Sequence, residues 1–267
     1  MGNRVEGKCA IVVGGGQTPG QTIGNGRATA IVLGREGAHV CVVDRSFASA
    51  QETVDQIQKD GGRAWAFAAD ATKEEDVKRL LATARERFDR IDILHNNVGA
   101  SLALGDAGAT DLSEEAFDRS LAVNLKATWL TCKHALPALR ESRGSIVNIA
   151  SMAAINAYPL VGYKTTKAAV VALTENLAAH NARYGVRANA ILPGLMNTPM
   201  AIESRVAAGT PREEVIASRD RRVPLGGRMG TGWDVANAAL FLHSPEAGFI
   251  TGISLIVDGG ESVCWGS

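Results

Sequence analysis

The chain has 267 residues, 46% of them hydrophobic, and its 28 acidic and 28 basic side chains balance to a formal charge of zero. That length suits one α/β domain with a large core rather than several domains. Balanced charge, with no basic run over the first two hundred positions, excludes a field that would draw nucleic acid or an anionic membrane surface, so a small molecule is the expected partner.

Met1 to Lys8 is polar, without an apolar leader, and no uninterrupted apolar stretch approaches the roughly 20 residues that cross a bilayer. Short β-branched runs then recur, at 9–13, 39–43, 64–68, 91–94, 145–149, 187–192 and 253–257, and longer helical patterns separate them. Seven such strands predict a doubly wound, seven-stranded parallel sheet in a single α/β domain spanning 1–267. Thr72-x-x-Glu75 and Thr231-x-x-Asp234 fit capping boxes, and Ser113 precedes two glutamates that suit a helix N-terminus. From Pro193 to Arg228 prolines, glycines and charges interrupt the rhythm. Ligands in such folds bind beyond the carboxyl ends of the strands, so the stretch of about 195–228 reads as a substrate lid; a solvated surface excursion is the plainer alternative.

Cys9, Cys41, Cys132 and Cys264 show no Cys-x-x-Cys spacing, and the first two lie in apolar runs, as expected of reduced buried thiols in a cytoplasmic protein. His39, His95, His134, His180 and His243 form no ligand-spaced pair, so no metal site is expected. Trp65, Trp129, Trp233 and Trp265 read first as packing residues, with Trp265 a candidate border of a substrate pocket or subunit contact.

Gly14, Gly15, Gly16, Gly20, Gly24 and Gly26 all fall between the first strand and the helix that begins near Arg27. Glycine at a strand-to-helix turn lets backbone N–H groups approach a pyrophosphate, whose charge the helix N-terminus stabilises. Asp44 closes the second strand about 18 residues beyond Gly26, the place that holds an adenosine ribose. A carboxylate there accepts both ribose hydroxyls and repels a 2′-phosphate, which favours NAD over NADP; Arg45 beside it weakens that preference. A plain turn residue is the other reading of Asp44.

Tyr163 and Lys167 stand four apart, so on a helix the phenol and the ammonium share one face. An isolated tyrosine titrates at about 10, and use as a proton shuttle near neutrality needs a few pKa units of phenolate stabilisation at about 1.4 kcal/mol each. A lysine one turn away supplies part of that.

With these residues in place the chain resembles the short-chain dehydrogenase/reductase family from about Gly7 to Gly260. Further motifs carry the likeness: Asp70-Ala71, Asn96-Asn97-Val98-Gly99, Asn124, Ser151, Pro193-Gly194 with Thr198, and Val257-Asp258-Gly259-Gly260. The resemblance implies a Rossmann fold in which Asp70 and Ala71 border the adenine, and Asn97 and Gly99 support the cofactor's central face. It places Thr198, beyond Pro193 and Gly194, on the nicotinamide carboxamide. Ser151, Tyr163, Lys167 and Asn124 are then the catalytic set: Ser151 holds the substrate oxygen, Tyr163 exchanges the proton, Lys167 tunes the phenol and binds the nicotinamide ribose, and Asn124 anchors a water.

Two departures stand out. The glycine motif carries an insertion of about six residues, so that either Gly14 or Gly20 fits ahead of Gly24-Asn25-Gly26. Ser151 precedes Tyr163 by twelve residues where the family spacing is thirteen, which a one-residue deletion explains. A capping role is the alternative for Ser151.

The expected function is NAD(H)-dependent hydride transfer on a secondary alcohol or ketone, with a cyclic or aromatic alcohol or diol favoured. The alternatives are an NADPH-dependent 3-oxoacyl-thioester reductase and a non-catalytic nucleotide sensor, which would need none of Ser151, Tyr163 and Lys167. The lid's arginines suit an acidic substrate, although pairing along a helix surface is their more ordinary use. The resemblance also implies a homotetramer built through the helices around Asn124 and Tyr163.

Overall fold

The computed structural model describes residues 3–264; Trp265 lies outside them. Seven parallel strands run in the order β3-β2-β1-β4-β5-β6-β7, namely β1 Cys9–Val13, β2 His39–Asp44, β3 Arg63–Ala68, β4 Ile93–Asn96, β5 Ser145–Ile149, β6 Arg187–Pro193 and β7 Ser254–Val257. The helices are α1 Asn25–Arg35, α2 Phe47–Lys59, α3 Glu74–Phe88, α4 Glu114–Ser120, α5 Ala127–Ser142, α6 Val161–Asn181, α7 Pro199–Ala207, α8 Arg212–Asp220 and α9 Gly232–His243.

The central strands β1, β2, β4, β5 and β6 are largely apolar and buried because helices cover both faces, and the period of two divides them between two cores. Ile11 and Val13 pack with Leu80, Leu94, Leu130 and Ile146 on one side. Ala10 and Val12 pack with Leu33, Val42, Ile57 and Leu240 on the other. The chain reverses its winding between β1 and β4, which pair from Ala10↔Ile93 to Val13↔Asn96, and a crevice opens beyond their carboxyl ends.

Three local expectations are corrected. β4 begins two residues later than 91–94 and runs into His95 and Asn96, polar residues that are nonetheless buried. Asn96 stays inside because its amide donates to Asn148 at 2.9 Å and it accepts the Thr131 hydroxyl at 2.8 Å. The box at Thr72 does not form: its hydroxyl donates to Asp70 Oδ1 at 2.7 Å, and α3 starts from Lys73 instead. The interrupted stretch after β6 contains two ordered helices, α7 opened by Pro199 and α8 following Pro211. The boxes at Thr231 and the cap at Ser113 are present, Thr231 N donating to Asp234 at 2.7 Å and Ala116 N to Ser113 at 3.2 Å.

Candidate active site

At the β1–β4 crevice, Gly14 turns the chain with φ +79°, and its amide donates to the Val43 carbonyl at 2.8 Å. Asn97 reaches back from the end of β4 to the Gly14 carbonyl at 3.2 Å. A Cβ on Gly26 would overlap that same carbonyl and stand 2.6 Å from Asn97 Nδ2. Glycine is therefore required where α1 meets the turn. Gly24 caps α1, held by the Gln17 side chain at 2.9 Å, and no acidic residue occupies the first turn. The leading amides of a helix have no partner within it, and the Asn25 side-chain oxygen is buried without one. A cradle with close backbone approach and an uncompensated helix N-terminus fits a pyrophosphate.

The insertion sets Gly20 beside α7. A Cβ on Gly20 would meet Pro199 at 2.9 Å and Glu203 at 2.7 Å, so this glycine lets the inserted loop close on α7. The Glu203 carboxylate takes Arg212 in two bonds of 3.0 and 2.6 Å, and Arg212 with the nearby Gln21 backbone holds it below the ordinary carboxylate range. Asp44 ends β2 beside this loop: a Cβ on Gly16 would stand 2.7 Å from its Oδ2, and its Oδ1 accepts the Ser46 amide at 3.1 Å. Arg45 is exposed, and Arg27 is committed to Ser49 and Glu52. Asp70 shapes its own turn through the Thr72 amide and hydroxyl, next to buried Ala71.

The residues expected to form the catalytic set gather beyond the end of β5. Burial pushes the Tyr163 phenol up to about 12, with Tyr158 adding to the rise; the Ser151 hydroxyl and the charges of Arg205 and Arg219 act the other way. The rings of Tyr158 and Tyr163 lie 5.7 Å apart. Ser151 also caps the short turn that follows β5, accepting the Ala153 amide at 3.1 Å, so the capping role expected as its alternative is present. Lys167 is buried, its Nζ 5.7 Å from the Tyr163 ring centre and donating to the Ile149 carbonyl at 2.7 Å. Burial draws its ammonium down to about 8, so the charge one turn from the phenol is itself titratable near neutrality.

Asn124 lies in a π-helical stretch, Leu121–Lys126, between α4 and α5. The wide turn aims its side chain inward, where it accepts the Ala100 amide at 2.8 Å and donates to the Ala100 carbonyl and to Thr166 at 3.0 and 3.2 Å. A Cβ on Gly99 would stand 2.9 Å from Lys167 Nζ and 3.3 Å from Asn124 Oδ1, which joins these three positions. Beyond β6, Pro193 pairs with Val257, the Gly194 amide bonds the Val257 carbonyl at 3.0 Å, and buried Thr198 precedes α7.

Sequence reasoning missed two supports. Asp106, buried in the loop before α4, accepts the amides of Gly162 and Tyr163 at 2.8 and 2.7 Å and so anchors the first turn of α6. Lys164 ties that helix to the Ala153 and Asn156 carbonyls at 3.2 and 2.6 Å. Among the described residues no three His, Cys, Asp or Glu side chains are grouped to hold a metal, and no helix is long and apolar enough to cross a membrane.

A family model described as enoyl-(acyl carrier protein) reductase matches residues 21–262. The chain is 38% identical to an L-fucose dehydrogenase of Bos taurus, the match covering 100% of this chain and 93% of the relative. It is 36% identical to the 2,5-dichloro-2,5-cyclohexadiene-1,4-diol dehydrogenase LinX of Sphingobium indicum, covering 98% and 99%. Among solved structures, a 7α-hydroxysteroid dehydrogenase complexed with NADH and 7-oxoglycochenodeoxycholic acid superposes with a TM-score of 0.85 at 33% identity, covering 97% of this chain and 95% of that one. The chain matches these enzymes over nearly its whole length and shares their fold: it belongs to the short-chain dehydrogenase/reductase family of oxidoreductases.

Proposed function

We propose that this oxidoreductase moves a hydride between a nicotinamide and the carbinol carbon of a secondary alcohol, with Tyr163 exchanging the hydroxyl proton. The observation that carries the reading is the meeting of Tyr163, Ser151 and Lys167 at the end of β5. The dinucleotide, when bound, supplies the carbon that accepts or gives the hydride. Gly14, Gly24 and Gly26 with the first amides of α1 hold its pyrophosphate, Asp44 its adenosine ribose, and Asp70 and Ala71 border its adenine. Asn97 and Gly99 back its centre, Lys167 binds the nicotinamide ribose, and Thr198 with Pro193 and Gly194 receives the carboxamide. Ser151 stabilises the substrate oxygen as charge develops, and Asn124 anchors the water through which Lys167 reaches solvent.

Asp44 makes NAD the preferred cofactor, since its carboxylate repels a 2′-phosphate and Arg27 is already paired. A cyclic or aromatic alcohol or diol is favoured as substrate. Relatives named for a cyclohexadiene diol and for a sugar, and a neighbour that holds a steroid ketone, support it. The stretch 195–228, with α7 and α8, acts as the substrate lid. The family model's own description keeps an acyl thioester in view as a second substrate class; Asp44 opposes the NADPH such a reductase would use. The exposed apolar face of Trp129, 44% accessible, with Leu121, Leu125 and Leu173 supports a homotetramer, and the unpaired buried thiols of Cys9, Cys41 and Cys132 suit a cytoplasmic protein.

A panel of secondary alcohols and ketones, followed at the nicotinamide absorbance with NAD(H) and NADP(H), tests the reading. Turnover with NAD(H) exceeding that with NADP(H) is expected. Tight NAD binding by calorimetry with no turnover across the panel would count against hydride transfer.

A further inference from the structure

The lid helices carry more cation than they neutralise. Arg212 is paired with Glu203, and Arg222 with Glu261 at 2.6 Å. Arg205 and Arg219 pair with no carboxylate among the described residues. Arg205 spends one nitrogen on the Ala201 carbonyl of its own helix at 2.6 Å. Arg219 reaches the Met196 carbonyl at 3.4 Å and approaches Met229 Sδ at 3.1 Å, neither of which carries a counter-charge. Both side chains are half-buried, and they lie close enough for each charge to act on the other and on the Tyr163 phenol.

This arrangement is costly without a ligand. A guanidinium does not shed its proton near neutrality, so two of them near each other on half-buried side chains without a carboxylate repel and are underbonded. Burial and the Arg205 charge draw even Arg219 down to about 10, which leaves it charged. Glu261 is the acid that acts on Arg219, and it is already bonded to Arg222. An oxyanion placed between the two forks would meet several unsatisfied N–H donors in the planar geometry that arginine presents to carboxylate, sulfonate or phosphate.

Resting on the hydride-transfer reading above, we infer that the substrate alcohol carries an acidic group, which Arg205 and Arg219 bind from the lid while its hydroxyl meets Tyr163 and Ser151. Lid closure and substrate charge are then one event, because the cations ride on α7 and α8. Neutral alcohols of the same shape leave the two cations unpaired and bind poorly.

The test uses pairs that differ only in charge: 3-hydroxybutyrate and 4-hydroxycyclohexanecarboxylate, each against its methyl ester. With NAD the acids are expected to exceed the esters by about tenfold or more in kcat/KM, mainly through KM. Arg219→Met and, separately, Arg205→Met bring the acid-to-ester ratio towards one, and Arg219→Lys keeps part of it. Titrating each acid into the NADH-loaded enzyme, read by nicotinamide fluorescence, gives the same comparison without turnover. Equal behaviour of acid and ester in both assays overturns the inference. So does a loss of NADH affinity in the methionine variants as large as the loss of acid binding, because the arginines would then serve the cofactor's pyrophosphate. Acid binding that depends on Arg219, with no oxidation of any alcohol, leaves the anion site standing and sinks the hydride-transfer reading instead.

Discussion

Asp106 accepts the backbone N–H of Tyr163 at 2.7 Å through one carboxylate oxygen while the other takes Gly162 at 2.8 Å. A buried loop acid thus fixes where α6 begins, and with it the position of the phenol in the site. Negative charge at a helix N-terminus is favourable, and two amides that water cannot reach find their acceptor there. Asp106→Ala removes it. The expected loss is about 1–3 kcal/mol of unfolding free energy by urea denaturation, together with a fall in kcat that Asp106→Asn partly restores. Unchanged stability and kcat in the alanine variant would show that α6 is set by packing alone.

Lys167 predicts a pH-dependent stability. Its ammonium holds a proton to about 8 in the fold and to 10.5 when free. Between those values the unfolded chain binds more protons, so stability rises with pH across the window. Below it the buried charge exerts its full cost. Lys167→Met removes the charge, so its stability relative to the parent should decline by about 3 kcal/mol between pH 7 and pH 10.5, at about 1.4 kcal/mol per unit. A difference independent of pH would contradict the burial.

The proposed NAD preference rests on the Asp44 carboxylate at the end of β2. Asp44→Ala should cut kcat/KM with NAD by about ten- to a hundredfold, the worth of a charged hydrogen bond, and raise the use of NADP. A variant whose ratio of NAD to NADP turnover stays that of the parent would remove Asp44 from that role.

Glu203 on α7 packs against Gly20 of the inserted loop on one side and bonds Arg212 of α8 on the other. Glu203→Gln should leave the sheet intact by circular dichroism, speed proteolytic nicking within 16–23, and raise KM for the dinucleotide a few-fold. Unaltered proteolysis and KM would mean that the loop and lid keep their places without the acid.

The sheet was legible because its strands are apolar runs set in a regular alternation with helices: β1 and β5 lie where periodicity puts them. β4 slipped by two residues because His95 and Asn96 look like a strand's end, and partners at Thr131 and Asn148, far along the chain, let Asn96 stay buried. Thr72 satisfied a capping pattern whose hydroxyl went to the nearer Asp70. The glycine cluster pointed to a tight strand-to-helix turn, yet the packing of Gly20 depended on α7, which it touches only in three dimensions. Tyr163 and Lys167 were read from their spacing together with the glycine cluster and the accompanying motifs; Asp106 and the unpaired Arg205 and Arg219 were not, since each matters through groups brought close by the fold.

Tyr163→Phe tests the central claim most directly. The variant keeps the ring and its packing and removes one oxygen. Measured at the nicotinamide absorbance with a saturating alcohol, and with NAD affinity checked by calorimetry, kcat should fall by about a hundredfold to ten-thousandfold, the usual worth of a positioned general acid or base, while NAD binding holds. Full turnover in the variant, under conditions where the chemical step limits the rate, would contradict proton exchange at Tyr163.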